Sequence, residues 1–346
     1  MSSILRREIF GQPDVLAKIL DRETRRVKRL AQVIARRDPR VVLVVARGSA
    51  DNAGLYGKYL FGALNRKVVA LATPSLFTRY GRVPDVRDAL VLAISQSGES
   101  FDVVEVVEAA RRAGALTVAV TNTRTSPLTQ ASDEVLLCHA GKERSVAATK
   151  TYTAQVMLLA LLASAMHGDP RLVEQLQRMP QRVRLALELE GEVDAVAQRL
   201  RYLEHCAVVG RGFCYGTAFE LALKLQELTY VVAQPYSSAD FRHGPIAMVN
   251  PGFCVVLLAP GGKVLADVRL LQQQLMQRQA EVVALSDDRT VLRRATRGLC
   301  LPSDVPEWLT PLTCIIPGQL LAMHLCHAKG YPLDRPRGLS KVTRTR

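Results

Sequence analysis

Aromatic side chains are scarce in this 346-residue chain, 5% of the total with a single tryptophan. None of them interleaves with the arginines as a base-stacking platform requires, which argues against a single-stranded nucleic acid partner. Paired cysteines are missing too. The seven present (Cys138, Cys206, Cys214, Cys254, Cys300, Cys314, Cys326) are an odd number, mostly in apolar runs, with no C-x-x-C spacing. They read as reduced core residues of a cytoplasmic protein. The longest apolar run noted, Val156 to Met166, falls short of the roughly 20 residues of a bilayer span, so no membrane is expected. The opening Met1-Ser-Ser-Ile-Leu-Arg-Arg-Glu has no continuous apolar stretch, so neither a secretion nor a transit signal is expected.

What remains is an ordinary globular balance, 48% hydrophobic and 23% charged, at a length that favours two domains. The net charge of +14 suits a polyanion or a small phosphorylated substrate equally. The arginines are dispersed over helix-like segments (Arg22, Arg25, Arg26, Arg29, Arg36, Arg37, Arg111, Arg112, Arg293, Arg294), where solvated faces are the simpler reading.

Short β-branched runs alternate with amphipathic segments at 41–45, 68–71, 90–94, 116–120 and 134–137. Such alternation marks parallel βαβ units. A long apolar helix over about 151–167 follows, then a Pro/Arg-rich passage, and strands resume at 206–209, 254–258, 281–285 and 298–301. The second set repeats the first. Ala46-Arg47-Gly48 recurs as Gly210-Arg211-Gly212, and the same offset carries Ala93–Gly98 onto Leu257–Gly262. Two similar α/β domains are therefore expected, each a mostly parallel sheet flanked by helices in an αβα, Rossmann-like arrangement. The expected division is an amino-terminal helical extension (1–35), a first domain (36–170), a linker helix (171–195), a second domain (196–334) and a tail over the site (335–346).

Ser95-Gln96-Ser97-Gly98-Glu99-Ser100 joins a strand end to a helix start, so three hydroxyls and free amides converge where an anion is favoured. A lone serine there would be a plain cap, but three in six residues point to phosphate. The Gly-Lys-Ser/Thr ending of a triphosphate loop is missing. Gly210-x-Gly212-x-x-x-Gly216 is one residue off the dinucleotide fingerprint, and no nicotinamide, flavin or other cofactor is expected. Glu220, Lys224 and Glu227 fall on one face of a helix over 219–230. Spacing alone fits both a solvated salt-bridged stripe and an acid/base group at the carboxyl end of a strand. His243, in the polar loop 237–245, is placed for chemistry rather than packing. His324, Cys326 and His327 lie on an apolar helix from Leu320 to Ala328, where packing is the simpler reading, and do not complete a metal set. His139, His167 and His205 carry no signal.

Five blocks, taken in order, resemble the double sugar-isomerase (SIS) family, nearest the isomerase half of glucosamine-6-phosphate synthase and its stand-alone deaminase relatives. They are 95–100, Ser145-Val-Ala-Ala-Thr-Lys150, Glu220-Leu-Ala-Leu-Lys-Leu-Gln-Glu227, His243-Gly-Pro245 and Pro336-Arg-Gly-Leu-Ser-Lys341, and the resemblance spans about 40–346. It implies that Ser95, Gln96, Ser97 and Ser100 hold a sugar 6-phosphate, with Gly48, Ser49, Val146 and Ser340 also at the sugar. It further implies that Glu227 shuttles a proton between C1 and C2, supported by Glu220 and Lys224. His243 would assist ring opening from the neighbouring subunit of a homodimer, and Lys341 would meet the open-chain carbonyl.

Departures from the synthase pattern are Ala148, Gly338, Ser340 and Val342. The chain opens Met1-Ser2 rather than with the synthase's glutaminase cysteine, so ammonia release from glucosamine 6-phosphate to give fructose 6-phosphate is the expected reaction. The alternatives are a deglycase, an isomerase half served by a separate glutaminase, or a non-catalytic sugar-phosphate sensor. A DNA reader is disfavoured, because the first 40 residues offer at most two helices with no recognition turn.

Overall fold

The computed structural model describes residues 3–341, which form two compact units, one of residues 14–143, 150–178 and 340–341, the other of residues 3–13, 144–149 and 179–339. The first holds β1 (Val41–Val45), β2 (Val68–Leu71), β3 (Ala89–Ser95), β4 (Leu116–Thr121) and β5 (Glu134–Leu137) in the order β2-β1-β3-β4-β5. The second holds β6 (His205–Gly210), β7 (Val232–Ser237), β8 (Cys254–Leu258), β9 (Glu281–Ser286) and β10 (Arg297–Cys300) in the order β10-β9-β8-β6-β7. Every pairing is parallel. Read from its other edge, the second sheet has the connectivity of the first, which bears out the duplication seen in the sequence and the α/β class.

All residues of β3 and β4 are buried, as expected of strands covered on both faces. Val103, Val106, Val107 and Ala110 of the helix Phe101–Arg112 join one core with Val91, Ala93 and Ala119. Each fully buried valine there contributes roughly 1.5–3 kcal/mol of transfer free energy before entropy is charged against it. The core of the second sheet is assembled likewise from Val255, Leu257, Val282 and Ala284 with Val268, Leu271 and Leu275 of the helix Leu265–Gln277.

Two helices, Ile4–Phe10 and Gln12–Arg37, precede β1. The first is capped by Ser3, whose Oγ accepts from Arg6 N at 3.0 Å. It is tied to the helix Glu190–Arg199 by the Arg6–Glu190 pair, with two bonds of 2.7 Å.

Two elements differ from expectation. β7 is an edge strand paired only with β6 and carries Gln234 and Pro235, so it lacks the apolar signature of a central strand. The final helix is also longer, Thr310–Ala328, and runs through Pro317. A window within Glu307–Ala328 reaches a mean hydropathy of 1.4, long and apolar enough for a span by composition, and is wholly buried in the protein. Its Gly318 admits the neighbouring helix, since a Cβ there would lie 3.0 Å from a methyl of Leu221. Six of the cysteines are buried and unpaired, while Cys300 is exposed.

Candidate active site

The order β2-β1-β3-β4-β5 reverses direction between β1 and β3, and ligands of open α/β sheets bind outside the carboxyl ends at such a point. Both loops bordering it carry expected residues. After β1, Gly48 opens the helix Ser49–Asn65, its carbonyl accepting from Asp51 N at 2.9 Å. After β3, Ser95–Ser100 form a tight turn leading into the helix Phe101–Arg112. Ser95 Oγ accepts from Gly98 N at 3.2 Å and lies 3.3 Å from Ser100 Oγ, while Ser97 Oγ accepts from Glu99 N at 3.2 Å. Ser100 stands at the cap position, yet its side chain makes no cap bond, so its hydroxyl is not spent on the helix. Gln96 is half-buried, and its carbonyl accepts from Asn122 N at 3.1 Å. The turn needs glycine at 98, where φ is +70° and a Cβ would fall 2.2 Å from Ser126 Oγ.

In the same unit, Lys341 Nζ donates to Glu143 Oε2 at 2.8 Å. The Glu143 side chain is fully buried and also accepts from Thr151 N at 3.1 Å and Thr151 Oγ1 at 2.7 Å. Glu143 was not singled out from the sequence. Its only signal is its place just before the block 145–150.

The residues expected to do acid/base work lie in the other unit. The helix Tyr215–Thr229 starts beyond β6 after a turn in which Gly210 is required, since a Cβ there would sit 2.4 Å from Cys214 O. Lys224 Nζ is 2.5 Å from Glu227 Oε2 and 3.5 Å from Glu220 Oε1. Side-chain exposures are 0% for Glu220, 1% for Lys224 and 22% for Glu227, so this is no solvated stripe. It lies on the helix that follows the turn beyond β6. At 1.5 Å per residue Glu227 stands about 18 Å along the helix from Tyr215, so the cluster occupies the helix flank. A buried ammonium in contact with a partly open carboxylate fixes that carboxylate's position, as a proton-shuttling base requires.

His243 is exposed after the short helix Ser238–Arg242, next to Gly244. Val146 is half-buried in the segment 144–149, which is pinned where Glu8 accepts from Arg144 N at 2.6 Å and Ser145 N at 3.1 Å. Ser340 is exposed. Thus the serine turn forms one group, the Glu220–Lys224–Glu227 cluster a second and Lys341–Glu143 a third. Val342 of the tail lies outside the described residues.

Among the described residues no three His, Cys, Asp or Glu side chains are grouped to hold a metal. Burial pushes the Cys206 thiol up to about 12 and that of Cys326 up to about 11, so neither is poised as a nucleophile. His324 is not simply packed, since its Nδ1 lies 3.1 Å from Asp194 and its Nε2 3.4 Å from Glu190. A cavity of about 740 Å³ lies at the amino ends of β6–β9, lined by His205, Val232, Cys254 and Glu281, away from the edge at which such sheets bind ligands.

Comparison with known proteins agrees with the fold. The SIS domain model matches residues 34–165 and again 200–328. A glutamine–fructose-6-phosphate aminotransferase of Pyrococcus horikoshii is 34% identical over 341 residues, 97% of this chain and 56% of the relative. The chain thus spans a little over half the length of the curated relatives it matches. The C-terminal domain of glucosamine-fructose-6-phosphate aminotransferase from Francisella tularensis superposes with a TM-score of 0.88 at 26% identity, covering 97% of this chain and 99% of that one. A glucosamine-6-phosphate deaminase from Thermotoga maritima shares the fold, with a TM-score of 0.78 at 21% identity over 99% of this chain and 100% of that one.

Proposed function

The chain belongs to the SIS-domain family, and from that premise we propose that it is a phosphosugar aldose–ketose isomerase acting on glucosamine 6-phosphate. The reading rests above all on the buried Lys224 bonded to the partly open Glu227 carboxylate, a base held in place on its helix. The serine turn binds the 6-phosphate through Ser95, Gln96, Ser97 and Ser100, with Gly48, Ser49, Val146 and Ser340 around the sugar. His243 assists ring opening. Glu227 takes the C2 proton of the open-chain aldehyde and returns it to C1, with Lys341 at the carbonyl oxygen. The enolamine becomes a ketimine at C2, and water then displaces the nitrogen, so glucosamine 6-phosphate and water give fructose 6-phosphate and ammonia. The reading takes the enzyme as a cytoplasmic homodimer in which His243 serves the partner's site. Purified protein with glucosamine 6-phosphate is expected to release equal ammonia and fructose 6-phosphate, about 10²- to 10⁴-fold faster than the Glu227→Gln variant. No release above that variant would sink the proposal.

A second reading, the isomerase portion of an amide-transferring synthase, is supported by the 34% identity to the Pyrococcus aminotransferase. It predicts net amination of fructose 6-phosphate when ammonia is supplied in excess.

A further inference from the structure

The serine turn has hydroxyls and amides but no cation of its own, and the turn and the helices that start beside it carry carboxylates. Glu99 is exposed within the turn, Asp102 sits in the first turn of the helix Phe101–Arg112, and Asp51 in that of Ser49–Asn65. Burial raises the Asp51 carboxyl, an effect that the charge of Arg47 opposes. Arg47, two residues beyond the end of β1, brings a positive charge to this edge. Arg47 Nε donates to Asp102 Oδ2 at 2.5 Å, bridging the two loops that border the point of reversal between β1 and β3. Asp102 is 5% exposed, and its Oδ1 is buried without a hydrogen-bond partner among the described residues.

The duplication supplies an internal control. At the same offset Arg211 follows β6, and its Nε lies 3.3 Å from Asp267 in the first turn of the helix after β8. There the carboxylate is shared, because Arg242 and Ser238 also donate to Asp267, and the Arg211 side chain is 34% exposed. In the first unit, among the described residues, Arg47 alone holds Asp102, and its side chain remains 52% exposed. The guanidinium is fixed through Nε, and about half of the side chain stays exposed. The copy that kept the serines is also the copy whose arginine is left open.

We propose that Arg47 is a further substrate-binding residue, a guanidinium oriented by Asp102 that contacts the substrate phosphate alongside the serine turn. The inference rests on the reading of that turn as the phosphate site. Because the phosphate does not change during isomerisation, such a contact acts equally on ground and transition states. Arg47→Gln is therefore expected to raise KM for the phosphosugar about 10- to 100-fold, as loss of a charge-assisted bond does, with kcat within about twofold of the parent. Binding of inorganic phosphate, measured by calorimetry at fixed ionic strength, should weaken by a similar factor in Arg47→Gln and also in Ser97→Ala. Arg47→Lys, which keeps the charge without the fork, should recover part of the loss. If Ser97→Ala weakens phosphate binding while Arg47→Gln stays within twofold of the parent, the role of Arg47 is refuted and that of the turn survives. If neither variant changes phosphate binding, both fall. A matched melting temperature for Arg47→Gln separates lost contact from lost fold.

Discussion

Replacing Lys224 by methionine keeps the length of the side chain and removes its charge, leaving the fully buried Glu220 without the ammonium 3.5 Å away. Removing one member of a buried pair costs about 3–5 kcal/mol, because the surviving charge stays desolvated. At about 2–4 °C per kcal/mol for units of this size, the apparent melting temperature should fall by roughly 6–20 °C. The companion Glu220→Leu/Lys224→Met should recover most of that loss, since two apolar groups need no mutual neutralisation. Glu227→Gln should melt close to the parent, as its side chain is 22% exposed and an amide still accepts from Lys224, yet turnover should be lost. Calorimetric melts at pH 7 and one protein concentration decide the matter. A Lys224→Met melt within about 2 °C of the parent, or a double variant less stable than the single, would refute the view that buried charge pairing governs this helix.

Gly98→Ala forces a side chain into the left-handed region and against Ser126, so it should weaken inorganic phosphate binding and cost about 1–2 kcal/mol from the backbone alone; unchanged affinity by calorimetry would count against the turn as the anion site. Arg6 hydrogen bonding holds the Glu190 carboxyl below its ordinary 4.5 despite partial burial, so this pair stabilises above pH 4.5 and its contribution is lost as pH falls below that value. Melts from pH 6 to 3.5 should show a smaller acid-side drop in Arg6→Gln than in the parent, and parallel curves would contradict the linkage. Mixing Glu227→Gln with His243→Ala protein after confirmed subunit exchange should yield more activity than either alone if His243 serves the partner's site. A mixture no more active than its components, or a fully active monomer in sedimentation, would overturn the shared site.

Much of the architecture was legible in the chain because parallel strands covered on both faces must be continuous apolar runs, as at 41–45, 90–94 and 254–258. The repeat at one offset likewise announced two sheets of one connectivity, and the serine cluster was visible because its chemistry is local. Other features depended on partners remote in sequence. β7 was unreadable since an edge strand tolerates Gln234 and Pro235, and the helix Thr310–Ala328 was recognised only from Leu320 because Pro317 and Gly318 are breakers that only burial overrides. Glu220, Lys224 and Glu227 share a face by periodicity alone, but periodicity gives no depth. Only the packed protein distinguishes a solvated stripe from an ammonium buried to 1% exposure. The same holds for Lys341 on Glu143, 198 positions apart, and for Arg47 on Asp102, 55 apart, because a charge pair across elements is decided by where the sheet places its loop ends.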